Sequence, residues 1–334
     1  MRSISLVEPG GLDADHLRLG SQPIPDPADD ELLLRVAACG VCRTDLQIAM
    51  GDLAPRTLPL IPGHQAVGRV ETIGRSVTGW TVGERAGVGW LAEACGHCAA
   101  CRSGRENLCP DARFTGWDRD GGYAEWMTVK ADFALRLPDG PSDLDAAPLL
   151  CGGVIGYRAL RIAGVQPGCR LGLFGFGASA LLAIQVARYW DCEVYVATRN
   201  PTERERAVRL GAAWVGGYDE APPVRLDAAV TFAPAGAVVV AALRALDRGG
   251  TVAINAIHLD GIPAFPYEIL WGERGVRSVA NYTREDARAF LELAARIPIR
   301  TEVDAFPLAD GVAALRALDA GAVAGAAVLV MEDR

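Results

Sequence analysis

Lysine is nearly absent from this 334-residue chain; almost all of its 33 basic side chains are arginines. Acidic residues outnumber them at 41, giving a net charge of −8 and a pI near 5.2. A surface of that sign repels a phosphate backbone, so nucleic acid is not expected as a partner. Long apolar runs are missing too. The longest, Leu173 to Ala187, is broken by glycines and too short to cross a bilayer, so no membrane partner is expected. The opening MRSISLVEPGGLDADH lacks a basic stretch followed by an apolar core, and the protein reads as soluble and cytoplasmic. Internal repeats, low-complexity tracts and flexible linkers are also absent. With 50% hydrophobic and 22% charged residues, the chain has ample core material, and its length exceeds what one core organises.

Cysteine is well represented. In CGHCAACRSGRENLC, Cys95, Cys98, Cys101 and Cys109 form two CxxC pairs that share a central residue, followed by a fourth thiol one loop later. That spacing can close a tetrahedral four-sulfur site around one metal ion, zinc or an iron–sulfur centre, and an apolar, acidic chain with a further cysteine and histidine elsewhere favours zinc. The competing reading, a set of disulfides, requires an oxidising compartment that the absence of a secretory leader argues against.

Up to about Cys151 the chain consists of short β-rich segments such as ELLLRVAAC, AVGRVETIG and AEWMTV, divided by Pro, Gly and Asp. From Gly152 onward, strands and helices alternate, the mark of an α/β fold with a doubly wound parallel sheet. The stretch from Thr283 to Arg334 is expected to return to the first region. Expected boundaries are 1–152 with 282–334 for one domain and 153–281 for the other.

The strand LGLFGF leads into Gly175-Phe176-Gly177-Ala178-Ser179-Ala180, a turn that opens a helix and lets backbone N–H groups approach a pyrophosphate. At the end of EVYVAT, where an acid would bind a free ribose, stand Thr198, Arg199 and Asn200. A hydroxyl followed by a guanidinium suits a 2′-phosphate and favours NADP(H) over NAD(H). Asn200-Pro-Thr-Glu203 reads as an N-cap, a first-turn proline and a capping-box glutamate.

A second constellation lies in Cys39-Gly-Val-Cys42-Arg43-Thr44-Asp45, Gly63-His64-Gln65 and the PLLCGGV motif around Cys151. Two thiolates and one imidazole drawn from these would hold a catalytic zinc and leave a fourth position for substrate.

CGVCRTD, PGHQAVGRVETIG, the four-cysteine run, PLLCGGVIGYRAL and GFGASA stand in an order that resembles the zinc-dependent medium-chain alcohol dehydrogenases, over essentially the whole chain. PGHQ together with LLCGGVIGYRAL resembles a bacterial subgroup that is itself similar to cinnamyl-alcohol dehydrogenases. The resemblance implies a β-rich GroES-like catalytic domain, a Rossmann cofactor domain and two zinc ions per chain. Cys42, His64 and Cys151 would hold the catalytic zinc, and Cys95, Cys98, Cys101 and Cys109 the structural one. It also implies that Thr44 passes the substrate proton, Asp45 is a carboxylate behind the zinc ligands and Arg43 touches the pyrophosphate. Phe232, Ala233, Ala256 and Ile257 would line the cofactor path, and Trp90, Leu91 and Trp117 the substrate pocket. Three positions depart from the family pattern: Gln65 for a glutamate, Gln47 for the histidine that ends the proton relay, and Ala324 for an arginine. Cys39, Cys169 and Cys192 fall outside both metal sets and read as buried.

The expected reaction is hydride transfer between a nicotinamide and a small primary alcohol or aldehyde, in a homo-oligomer, dimer or tetramer. A zinc-free reductase of the quinone-reductase type leaves Cys42, His64 and Cys151 unexplained. A zinc-ribbon binding protein leaves the nucleotide turn unexplained.

Overall fold

The computed structural model describes residues 1–256 and 259–331, which fall into two units. One comprises Met1–Cys151, Thr283–Arg296 and Arg300–Arg334, and the other Gly152–Tyr282 with Ile297–Ile299.

The first unit is built on a seven-stranded sheet. Its long central strand, Glu31–Val41, pairs antiparallel with Ala66–Ile73 on one side and, toward its end, with Ala326–Val330 on the other. Alternating Leu32, Leu34 and Val36 are buried with Ile48, Val70, Val88, Tyr123 and Leu329 in one core, as expected for strands with one face turned inward. The strand stops where helix Arg43–Met50 begins. Cys42 is the N-cap; its sulfur accepts from the Thr44 N–H, and the Asp45 carboxylate accepts from the Cys42 N–H, closing a capping box. A small hairpin, Leu91–Glu93 with Arg113–Phe114, carries the cysteine run in its loop.

The second unit has six parallel strands: Arg170–Phe174, Glu193–Ala197, Trp214–Gly216, Leu226–Thr231, Leu246–Ile254 and Gly275–Ser278. Across the sheet they run third, second, first, fourth, fifth, sixth, the doubly wound order whose reversal point lies beside the first strand. Buried Phe174, Leu226, Val239, Leu243 and Val252 belong to one of its apolar clusters. Helix Pro201–Arg209 starts at Asn200, whose side-chain oxygen accepts from the Thr202 N–H, a cap worth about 1 kcal/mol. The expected capping box does not close. The Glu203 carboxylate accepts from the Thr198 hydroxyl instead, because Thr198 directly follows the strand Glu193–Ala197 and lies within its reach.

Candidate metal and cofactor sites

The structure brings Cys42, His64 and Cys151 together, with one donor atom from each within 4.8 Å of the others. Cys42 Sγ and His64 Nε2 are 3.3 Å apart. A tetrahedral zinc with bonds of about 2.0–2.3 Å needs donor separations of about 3.5–3.8 Å, so the set fits such an ion with small adjustments. His64 is presented by the loop before strand Ala66–Ile73 and is 1% exposed. Its Nδ1 faces the fully buried Asp45 at 3.1 Å, and Asp45 Oδ1 also accepts from the Gly63 N–H at 3.3 Å. The carboxylate thereby holds the proton on Nδ1 and leaves Nε2 for a metal.

Charge in this cluster is shared. The Cys42 thiol drops to about 5, because the Cys151 thiol hydrogen-bonds its thiolate and the His64 charge assists, against the opposing effect of burial. Cys151 is pushed up, first by that hydrogen bond and then by burial. Burial works against a charge on His64, but the Cys42 thiolate and the Asp45 carboxylate outweigh it and raise its pKa. The donors thus carry protons that a dication would displace.

Cys95, Cys98, Cys101 and Cys109 form the second cluster, again within 4.8 Å. Their geometry follows from local turns. Gly96 adopts a φ of 76° between the first two cysteines, and Cys98 caps the short helix Ala99–Arg102. The backbone N–H groups of Cys95, Cys98 and Cys101 point at sulfurs of the set, at 3.5, 3.4 and 3.4 Å. Those hydrogen bonds stabilise thiolates: the Cys98 thiol is lowered to about 7, chiefly by the Cys101 N–H. Burial pushes Cys101 up to about 12.

Thr44 sits in the first turn of the helix capped by Cys42 and is 9% exposed. Arg43 precedes it at the helix start. Gln47 lies one turn on; its Oε1 is buried with no hydrogen-bond partner among the described residues. Gln65 is buried beside His64, with its side chain over Gly40, where a Cβ would clash with it at 2.8 Å. Ala324 is exposed, and its N–H donates to Asp304.

Trp90 stands edge-on to His64, ring centroids 4.9 Å apart. Trp117 stacks on Trp90 at 6.0 Å, and Phe114 packs against both. Arg56 lies over the Trp117 ring at 4.4 Å and pairs with Asp118. Leu91 is buried with Cys109 and Ala112 in the apolar cluster of the four-cysteine lobe, against which Phe114 also packs. Phe114, which the sequence did not single out, stands opposite Leu91 in the hairpin and stacks on Trp90 at 5.2 Å.

In the second unit, Gly175 follows the first strand with a φ of 92°, and a Cβ there would lie 2.8 Å from the Ala233 nitrogen. Only glycine fits both demands. Phe176 is buried, and Gly177 caps helix Ala178–Tyr189 without a side chain. Gly177 and Ala178 are exposed, Ser179 is half-buried and Ala180 buried, so the helix presents an uncapped N-terminus suited to an anion. Phe232 and Ala233 follow the fourth strand, with their N–H groups on the Phe174 carbonyl, and half-buried Ala256 follows the fifth. Ile257 lies outside the described residues. Thr198 is buried; Arg199 and Asn200 are exposed, and the Arg199 guanidinium lies 5.9 Å from the Tyr218 ring centre.

Known proteins resemble this chain over nearly its whole length. Residues 28–139 match the alcohol dehydrogenase GroES-like domain, and residues 180–296 the zinc-binding dehydrogenase family. A probable alcohol dehydrogenase, AdhA, of Mycobacterium tuberculosis is 49% identical over 99% of this chain and 97% of that protein. An alcohol dehydrogenase of Geobacillus stearothermophilus is 37% identical over 83% of this chain and 85% of its own length. The structure of a cinnamyl alcohol dehydrogenase from Sorghum bicolor superposes with a TM-score of 0.89 at 26% identity, covering 100% of this chain and 99% of that one. With both zinc-type donor sets and the dinucleotide turn in place, the chain belongs to the zinc-dependent medium-chain alcohol dehydrogenase family.

Proposed function

We propose that this enzyme interconverts primary alcohols and aldehydes with NADP(H) in preference to NAD(H), using two zinc ions per chain. Cys42, His64 and Cys151 would hold the catalytic ion, and Cys95, Cys98, Cys101 and Cys109 the structural one. The observation that carries this reading is the gathering of two thiols and one carboxylate-backed imidazole at the end of a core strand, a set with one ligand fewer than a closed zinc site. A zinc ion there supplies Lewis acidity toward the substrate oxygen, and the nicotinamide accepts or donates the hydride.

The chain's own residues do the rest. Asp45 fixes the His64 tautomer through Nδ1 and anchors the Cys42 N–H, so two ligands share one support. Thr44, next in the turn, takes the alcohol proton at Oγ1. Gln47 cannot receive that proton, so from Thr44 it would leave toward water by a route that does not use position 47. Trp90, Trp117 and Phe114 offer a flat apolar wall beside His64, which favours substrates with an apolar body.

Support for NADP(H) rests on Arg199, exposed next to the N-terminus of helix Pro201–Arg209, while Glu203 already occupies the Thr198 hydroxyl. Support for a homo-oligomer comes from Tyr267 and Trp271, 65% and 63% exposed in the connection to the edge strand Gly275–Ser278. All nine cysteines are unpaired, which fits a reducing compartment such as the cytoplasm. No described helix is long and apolar enough to cross a membrane.

The test is a screen of primary alcohols and aldehydes with both cofactors on protein of measured zinc content. Arg199→Asp is expected to lower kcat/KM for NADPH by roughly 10–100-fold and leave NADH use nearly unchanged, since a charge-assisted contact to the 2′-phosphate is lost. Equal losses with both cofactors would refute the NADP assignment.

A further inference from the structure

Two thiols that the reaction does not use stand side by side at the foot of the cofactor unit's sheet. Cys169 is the residue before strand Arg170–Phe174, and Cys192 the residue before strand Glu193–Ala197. These strands are parallel neighbours with Arg170 opposite Glu193, so the cysteines enter the sheet next to each other. The Glu193 N–H donates to the Cys169 carbonyl at 3.0 Å, which fixes the two backbones at sheet spacing. Adjacent strands run about 4.8 Å apart, within the span of roughly 4.4–6.8 Å between Cα atoms that a disulfide bridges. The two sulfurs are already 3.7 Å apart.

Access is unequal. Cys192 is fully buried, with its sulfur also near the carbonyls of Gln166 and Trp190. Cys169 is half-buried and follows exposed Gly168, so a small reagent meets the pair through Cys169. The thiols share a proton: the hydrogen bond from Cys169 lowers Cys192 to about 7 and, in return, raises Cys169. Of the other seven cysteines, Cys39 is isolated in the core and six belong to the two metal sets, where bound zinc would shield them.

We propose that Cys169 and Cys192 are an oxidative modification site, converted by a hydroperoxide from a dithiol to an intramolecular disulfide and returned by thiol reductants. The sulfur of Cys169 attacks the peroxide, the O–O bond breaks, and a sulfenic acid and an alcohol are formed. The sulfur of Cys192 then displaces the hydroxyl, which leaves as water once it has taken up the remaining thiol proton. Two thiols give up two electrons and two protons, and one hydroperoxide becomes one alcohol and one water. The cysteines are 23 positions apart. The bond therefore closes a loop around the first strand, the Gly175–Gly177 turn and helix Ala178–Tyr189, the segment that would cradle the pyrophosphate. Closing that loop restricts the unfolded chain and local opening of the cradle.

The experiment treats the zinc-loaded full-length protein with a small excess of tert-butyl hydroperoxide, blocks remaining thiols with iodoacetamide, and maps cysteine pairs by peptide mass spectrometry. A Cys169–Cys192 linked peptide is expected, with zinc content unchanged and a melting midpoint raised by roughly 5 °C. Both changes should reverse with a phosphine reductant and be absent in Cys169→Ser. In Cys192→Ala, Cys169 should stop at a sulfenic acid that dimedone traps. The proposal is overturned if zinc is released before any Cys169–Cys192 peptide appears, or if both cysteines remain fully alkylatable. It is overturned equally if Cys192→Ala leaves Cys169 unreactive to dimedone.

Discussion

The two metal clusters use the same chemistry in opposite surroundings. Cys95, Cys98, Cys101 and Cys109 lie within one loop, mostly half-exposed over a minimal apolar cluster of Leu91, Cys109 and Ala112, and their thiolates are supported by backbone N–H groups. Cys42, His64 and Cys151 come from three distant parts of the chain, meet beside the main core and depend on one buried carboxylate, Asp45. Outside its own turns the first cluster's loop is tied mainly by Glu106, which accepts from Arg284, so an ion bound there would add much of its order. The second belongs to a sheet that packs without it and can leave a ligand position free. A closed sulfur site therefore organises the fold, whereas an open mixed site is organised by the fold.

The comparison can be broken at four places. Cys42→Ser should have the largest effect: loss of one zinc by elemental analysis and of activity by about a thousandfold or more, with the circular dichroism spectrum unchanged. Asp45→Asn removes the support and keeps the ligands, so affinity at that site should fall by roughly 10–100-fold in a chelator competition while the four-sulfur site keeps its ion. Cys98→Ser should invert the pattern, lowering the melting midpoint by roughly 5–10 °C with activity per folded molecule largely retained. If its stability matched wild type, the structural role of the lobe would be refuted. Gln47→His is the smallest change. It adds an ionisable group one turn from Thr44, and alcohol oxidation should gain a step near neutrality and rise a few-fold on its alkaline side. Superimposable pH profiles would remove position 47 from the proton path.

What the sequence revealed and what it hid divide along the range of the interactions. The four-cysteine lobe and the glycine turn at Gly175 are spelled out by residues a few positions apart, where CxxC spacing and a strand–turn–helix order leave few alternatives. The pairing of Leu91 with Phe114 depends on hairpin register, so the sequence overlooked Phe114. Glu203 looked like a capping residue because its spacing from Asn200 is right. The buried Thr198 hydroxyl, brought near by the strand end, competes for it and wins. Cys169 and Cys192 read as isolated buried thiols, since only the parallel pairing of their strands makes them neighbours.

Chain order has a consequence for how the protein is made. The cofactor unit is almost continuous in sequence, but the strand that ends at Val41 receives Ala326–Val330 along its last residues, with Val41 opposite Ala327. During synthesis that edge stays unpaired until residues 326–330 have left the ribosome. The loop of Cys95 to Cys109 is complete as soon as it emerges and can take up its ion then. Cys42 gains its full backing only once Ala326–Val330 has paired, so if both clusters take up zinc, the four-cysteine loop should fill first and the Cys42, His64 and Cys151 set last.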